Sequence, residues 1–553
     1  MKKKILSVLI VLSVLVAPLA LSIATFAAED STTGFTIEGE FEDGRFLETR
    51  QITVEVYDRG NDGGSAPEDN VFSNWIKEGV LRDHNIEVTF VPVPRWTEVE
   101  QMNNLLAAND APDVSYTYDY PTIQTFAEMG GVTDLSGYVE EYREAIPHLW
   151  EWLGETNIYW DQNPETGELW AIEAKLANNT RINTFVRQDW LDALELEAPE
   201  TNKEFEAMLI AFQENAELLL GDEADKMIPF SISFDVGWRA DHLMASYVDP
   251  DITMKTRFTQ GFDDRRFLFP GMKESVELLN KWYNDGLIWQ DFALYGAGDS
   301  TEDNLMKAGY VGSFMHNWDY PYRDGEDSIN NNLKRLVGED AGYVTIDPFK
   351  NANGEPQKFL PGPVDRKLFF PGTNDEILAS LLYLDWISRL ENRIYLQTGE
   401  EGTNHIVHED GAIEALPATG DWIMNSPLNI DYTMTINGLD LGDPDLTSRS
   451  IAFSYPGVDA EVISTAYDMS TNGGIIGQNI NVGEITAESG MGPQLSEKRD
   501  VVLNQAIVAS PEEFSAVYDA GMEDYLLSGG QDIIDERTEK WEAMYGDSEE
   551  LPE

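Results

Sequence analysis

From Ile52 to Gly131 short β-branched runs alternate with apolar residues at helical spacing. This alternation restricts the possible folds more than any other feature of the chain. "ITVEVYD" (52–58) reads as a strand. "DNVFSNWIKEGVLRDHN" (69–85) places Val71, Trp75, Ile76, Val80 and Leu81 at a helical period. "IEVTFVPV" (86–93) is a second strand. "WTEVEQMNNLLAAN" (96–109) is a helix with Thr97 and Glu100 at capping-box spacing. "PDVSYTYD" (112–119) is a third strand, and "YPTIQTFAEMGG" (120–131) a third helix ended by glycine. Strands and helices at such short intervals form βαβ units on a parallel sheet, so the fold class is α/β. Open α/β sheets bind ligands beyond the carboxyl ends of their strands. That directs attention to the turn 58–61 and to the turn carrying Tyr116, Tyr118 and Asp119.

The later part of the chain is more helical. "PGMKESVELLNKWYNDGLI" (270–288) puts Met272, Val276, Leu279, Trp282 and Tyr283 on one face and closes at Gly286. "DEILASLLYLDWISRL" (375–390) is apolar on more than one side and is expected deep in a core. "SPEEFSAVYDAGMEDYLLSGG" (510–530) is expected to start with Ser510 as N-cap, Pro511 at N1 and Glu513 at N3, and a last helix covers about 531–545. Between about 391 and 505 the Gly-, Asn- and Asp-rich sequence predicts loops and short elements. With 553 residues, two domains or two large lobes are the expectation.

The 100 Asp and Glu against 37 Lys and Arg give a net charge of −63. Such a surface repels nucleic acid and anionic membranes, so neither is an expected partner. The absence of cysteine excludes disulfides, thiolate metal sites and cysteine nucleophiles. Lys2–Lys4, the apolar stretch from Ile5 to about Ile23 and the small residues Thr25 and Ala27 read as a signal peptide over 1–27. An uncleaved anchor is the alternative, and no other stretch is apolar enough to span a membrane. Residues 28–50 form a polar lead-in, and the protein is expected outside the cytoplasm.

No nucleophile elbow, HExxH, P-loop or dinucleotide-binding motif occurs. His405 and His408 form an HxxH without a third ligand, and a surface loop accounts for them better. Asp58, Asp62 and Gly63 match a calcium loop poorly, with Gly60 and Asp69 at two ligand positions. Neither a metal nor a cofactor is expected. Glu165, Glu168 and Glu173 would be the first candidates for a glycosidase pair, but close acids arise by chance in so acidic a chain, and a solvated hairpin is the better reading. The aromatics are more informative. Trp282, Trp386 and Trp541 fall at apolar helical periods, whereas Trp170, Trp238, Trp318 and Trp422 stand among polar, turn-forming residues. Tryptophan beside amides and carboxylates is what a sugar site needs, because a pyranose stacks its apolar face on the ring and bonds its hydroxyls to the polar groups.

The order of segments resembles the extracellular solute-binding proteins, family 1, of ABC sugar importers, and most closely their LplA/LipO-like branch. The stretches that carry it are "LLAANDAPDVSYTYD", "FAEMGGVTDLSGYVEEY", "LWAIEAK" before "FVRQDWLDALELEAPET", "LLNKWYNDGLIWQDF", "LMKAGYVGSFMHNWD" and "MEDYLLSGGQDIIDERTEKW". The resemblance implies a type-2 periplasmic-binding-protein fold, with two α/β lobes and a ligand cleft between them. It implies a first crossing near Ile172–Val186 and a return near 342–349. Lobe 1 would then hold 51–175 and most of 343–450. Lobe 2 would hold 176–342 and most of 451–553, with Arg187 and Asp189 structural at its entry. Trp318 would stack on a bound sugar, and Trp422 more loosely so. Trp238 and Tyr118 are further stacking candidates; Asp119, Asn317, Asp319 and Arg239 are the polar candidates. The implied function is that of a monomeric, non-catalytic receptor that captures an oligosaccharide or other carbohydrate and passes it to ABC permease subunits. A secreted glycosidase or lyase, or a sensor module presenting ligand to a receptor, are the alternatives. Gram-positive members carry a lipid-anchor cysteine, which this chain lacks.

Overall fold

The computed structural model describes residues 34–60, 64–263, 265–296, 298–323, 325–455, 457–483 and 485–551. The expected signal peptide (1–27), the start of the lead-in and Asn61, Asp62 and Gly63 lie outside them.

Ten strands organise the molecule. In chain order they are β1 (Arg50–Asp58), β2 (Ile86–Pro94), β3 (Ser115–Thr117), β4 (Ile172–Leu176), β5 (Ile182–Arg187), β6 (Ile228–Ser231), β7 (Val311–Asn317), β8 (Tyr343–Ile346), β9 (Val364–Phe369) and β10 (Ile436–Asn437). β1 and β2 pair in parallel over their whole length, from Arg50–Ile86 to Asp58–Pro94. A parallel bridge between Val54 and Val114 joins them to β3. The sheet continues through antiparallel β9 and β4 to β10, giving the order β2–β1–β3–β9–β4–β10. The second sheet has the order β8–β5–β7–β6. There β6 and β7 run parallel, and the other pairs antiparallel.

Each sheet has its own apolar core. The first gathers Val54, Val56, Phe72, Leu149, Ile172, Leu368, Trp386 and Met434. The second gathers Phe185, Val186, Phe230, Trp282, Phe314, Tyr343, Ile463, Leu503 and Trp541. The chain passes between them three times, at 177–181, 361–363 and 438–459. Two α/β lobes joined by several crossings are the result. Tyr343–Ile346 pairs with Arg187–Thr184 in the second sheet, so the return to the first lobe follows this strand and does not begin at 343.

Local chemistry explains the helices that set the sheets. Helix Val71–His84 starts at Asn70, whose side chain accepts the Phe72 and Ser73 N–H groups (both 3.0 Å). Ser73 Oγ accepts the Asn70 N–H in return, and the helix stops at Asn85 in the left-handed region (φ 60°). Helix Ile377–Ser388 is buried at every position. Its Asp385 accepts the His148 and Leu149 N–H groups (2.7 and 2.9 Å) and so caps helix Pro147–Ile158.

Four expectations differ from the structure. Thr97 makes no cap bond; a 3₁₀ turn (Arg95–Thr97) leads directly into helix Glu98–Ala108. β3 is short because Asp113 is drawn off to accept Thr53 N–H (2.8 Å). The helix expected from Ser510 begins at Phe514, since the Ser510 hydroxyl bonds the Glu513 carboxylate. Among the described residues the supposed loop region holds four helices of eight residues or more, Leu390–Thr398, Pro444–Ile451, Ala460–Thr471 and Gly492–Val508. In Gly492–Val508 the buried face includes Arg499 between Leu495 and Val502, which interrupts the apolar period.

Candidate functional site

β7 is buried from Val311 to His316 and reaches the surface at Asn317. It is launched by Gly309 at φ +89°, where a Cβ would strike Val337 at 2.8 Å. The Gly309 carbonyl accepts from Arg187 Nη1 (2.9 Å), while Asp189 takes the other edge of that guanidinium (2.8 and 2.6 Å). Both residues are therefore structural at the entry of the second lobe.

Beyond the carboxyl end of β7 lies a cavity of about 630 Å³ between the two lobes. Its walls include Arg59 at the end of β1, Asn178 and Thr180 in the first crossing, and Asn437 at the end of β10. From the second lobe come Asn317, Trp318, Asp319, Arg323 and Tyr455. Trp318 is half-buried, and its backbone N–H donates to the Arg181 carbonyl (2.9 Å), tying it to a crossing segment. Tyr455 and Tyr467 stand edge-on to its ring at 6.1 and 5.5 Å.

The charges in this cavity are matched. Arg59 forms a bidentate pair with buried Asp431 (2.7 and 2.8 Å). Arg323 bonds Asp319 (2.5 Å), and the Tyr455 hydroxyl donates to the same carboxylate. The Asn317 amide, oriented to suit its neighbours, accepts from both Arg323 terminal nitrogens (3.2 and 3.3 Å). Burial opposes the charge on Arg323, yet Asp319 holds its pKa above the ordinary range. Burial and Asp319 together push the Tyr455 phenol well up. The cavity thus offers hydroxyls, amides and neutralised ion pairs to a ligand.

Of the eight sequence candidates, Asn317, Trp318 and Asp319 line this cavity. The other five lie elsewhere. Trp422 is half-buried on the first core, edge-on to Phe72 at 6.3 Å. Trp238 stacks on Phe234 (6.2 Å) and meets His316 edge-on (5.0 Å). Tyr118 sits under the Arg95 and Arg366 guanidinium groups (4.8 and 5.9 Å). Asp119 caps helix Tyr120–Glu128 through Thr122 N–H and Oγ1 (3.1 and 2.6 Å). Arg239 is a correction: it is fully buried, bonded to Glu302 (2.7 and 3.0 Å) and to the Met315 carbonyl (2.5 Å). Its polarity serves an internal ion pair, and it does not line the Trp318 cavity. Glu173 is a second correction, since it is buried at 0% exposure beside Lys367 (3.2 Å) and is no part of a solvated hairpin. Burial and the neighbouring Asp161 hold its carboxyl well above the usual range.

Among the described residues His316 has no acidic partner; burial and the Arg239 and Arg323 charges depress its pKa well below the ordinary value, and the ring stacks on Tyr320 (3.4 Å). His405 lies in the hairpin His405–Val407/Ile413–Ala415, and His408 pairs with Glu414 (2.8 Å). Among the described residues no group of three or more His, Asp and Glu is arranged to hold a metal. Sequence reasoning missed Arg59, Arg323, Tyr455 and Asn437, which reach the cavity from distant segments. Only Arg59 carried a signal, its place just beyond the first strand.

Two α/β lobes, three crossings and a cavity between the carboxyl ends of their strands define the two-lobed fold of the periplasmic solute-binding proteins. Solved structures with this fold match nearly the whole chain. A substrate-binding protein of a Streptococcus pneumoniae ABC transporter, FusA, in complex with fructo-nystose is 13% identical, with a TM-score of 0.63 over 90% of this chain and 100% of that one. The alginate-binding protein AlgQ2 is 15% identical, with a TM-score of 0.61 over 90% and 98%. A Bifidobacterium longum infantis solute-binding protein described as HMO-binding and ABC-transporter-associated is 14% identical, with a TM-score of 0.58 over 90% and 99%. No family model matches the sequence, and no curated protein matches it.

Proposed function

We propose that this protein is an extracytoplasmic solute-binding receptor that captures a carbohydrate between its lobes and delivers it to an ABC permease. The Trp318 cavity carries this reading. It lies between the lobes, touches the crossing segments, and combines an aromatic ring with amides and hydroxyls. Its volume of about 630 Å³ is in the range of small-molecule sites. The solved structures of like fold include proteins described as binding fructo-nystose and alginate. Bound sugar would bridge the lobes and shift the population toward the closed form, with no bond made or broken. The composition of the two cores supports a first lobe formed by residues before 177 and from about 364 to 437, with the rest in the second. We place the chain in the LplA/LipO-like branch on its segment order, as a monomer exported by its N-terminal signal. Among the described residues no helix is long and apolar enough to cross a membrane.

A thermal-shift screen across neutral and acidic oligosaccharides tests the reading, because a ligand that binds only the folded state raises its stability. The expected result is a raised Tm with at least one sugar and no product after prolonged incubation. Hydrolysis or elimination products would make the protein an enzyme instead.

A further inference from the structure

Residues 160–162 of the first lobe stand at a contact with the second. The Trp160 carbonyl accepts from Asn479 (3.0 Å) and the Gln162 carbonyl from Asn481 (2.5 Å). Those two amides belong to a segment anchored in the second core by Val482. The residue between the two carbonyls turns the other way. The Asp161 carbonyl accepts from the Tyr120 hydroxyl (3.2 Å), and the Asp161 side chain runs inward to the carboxyl group of Glu173 on β4. Lys367, opposite Glu173 on β9, completes the cluster at 3.2 Å.

Two carboxyl groups and one ammonium are thus held out of water together, and the set is neutral only while the carboxyls share one proton. Burial, and for Glu173 also the Asp161 charge, raise both carboxyls above the usual range, with Lys367 opposing. The other charged and titratable groups nearby have their own partners. On β9 Asp365 accepts from Arg366 (3.2 Å), and on β4 Lys175 donates to the Trp152 carbonyl (3.2 Å). Glu98 accepts from Thr117, the β3 residue opposite Lys367 (3.3 Å). On the second lobe Arg537 bonds Glu488, and Lys540 stands with Glu165 at Gly483. The two members of the pair differ in freedom. Glu173 is fully buried in a strand paired on both sides, whereas Asp161 lies on the loop between helix Pro147–Ile158 and β4. A second negative charge in the cluster is therefore relieved by moving Asp161, and the Trp160 and Gln162 carbonyls move with it.

We propose that Asp161 and Glu173 form a proton-controlled latch between the lobes, closed while they share one proton and released when alkaline solvent removes it. The proton passes to hydroxide, leaving two carboxylates beside one ammonium. The sign follows from linkage: the folded pair keeps a proton that the unfolded carboxyls give up near pH 4, so this arrangement is favoured at low pH and lost as pH rises. The latch concerns how the lobes are held, and it stands whatever ligand they enclose.

Residues 479–483 contain no titratable side chain, so a pH response there has to arrive through the contact. Hydrogen–deuterium exchange on the full, ligand-free chain, corrected for the pH dependence of intrinsic exchange, tests the proposal. Protection of 479–483 should fall at least about tenfold between pH 6 and 9. In Glu173→Gln, which keeps a donor to Asp161 and cannot ionise, protection should stay constant over that range. Asp161→Asn should also be constant, and serves if the glutamine variant does not fold. Asn479→Ala with Asn481→Ala should lower protection of 159–163 at both pH values. Constant protection in the wild type would overturn the proposal. An equal fall in wild type and in the folded Glu173→Gln or Asp161→Asn variant would place the response elsewhere and overturn it as well.

Discussion

Trp318 leaves the strand β7 where burial ends and is fixed from behind by its backbone bond to Arg181. Its removal should therefore cost ligand affinity and little stability. We expect Trp318→Ala to weaken sugar binding roughly ten- to a hundredfold and to abolish most of the ligand-induced change in tryptophan fluorescence. Unchanged affinity by titration would take Trp318 out of the site. Arg239 should behave in the opposite way. Arg239→Ala leaves Glu302 buried without its cation, at a cost of about 3–5 kcal/mol in urea unfolding. A loss below about 1 kcal/mol would contradict the burial of that pair. The contrast shows where residue type stops being informative. "HNWD" marks a strand end with a ring beside amides, and that was legible. Whether an Arg turns inward to Glu302 or outward to a ligand depends on a partner 63 positions away, and no local pattern records it.

Helix Val71–His84 crosses helix Ile377–Ser388 so closely that a Cβ on Gly79 would overlap the Trp386 ring. Alanine ordinarily improves a helix by about 1 kcal/mol over glycine. Here Gly79→Ala should destabilise by about 1–3 kcal/mol in chemical denaturation, because the ring has to move in a packed core. A stabilised variant would mean that the two helices separate readily. Elements of this kind were readable from sequence wherever the apolar pattern was continuous or strongly periodic, as in Ile377–Ser388 and in the β1–β2–β3 run with its helices. They were not readable between 391 and 505. Helix Gly492–Val508 buries Arg499 within its apolar face, and β10 has only two residues, paired to a strand 261 positions earlier. Long-range partners, and no local preference, hold those pieces in place.

At the scale of the whole molecule, charge and buried histidine govern how stability responds to solvent. A net charge of −63 is self-repelling, so raising NaCl from about 0.1 to 1 M, which shortens the screening length from roughly 10 to 3 Å, should raise Tm. A flat or falling Tm would mean that the acids are locally neutralised. His84 and His242 are held down to about 4, burial being the main cause, with Arg389 and Lys358 adding to it. Between about 6.5 and 4 the unfolded chain takes up protons that these rings refuse, so each contributes stability that falls with pH by about 3 kcal/mol. Buried Glu55 and Glu173, whose pKa values are raised by burial, titrate in the opposite sense. The clean measurement is therefore the difference in urea midpoint between wild type and His242→Asn at pH 7 and pH 4.5. That difference should shrink as pH falls; a constant difference would mean that His242 takes up its proton at the same pH in the folded as in the unfolded chain. The three crossings also order events in time. β3 pairs with β9 through Thr117 and Lys367, and β4 with β10 through Lys175 and Ile436. Loop closure over such separations makes folding slow. The first sheet cannot be completed until the last third of the chain is available. A ribosome making this chain holds an incomplete first sheet for most of its synthesis, and the two cores draw on segments that no single cut separates.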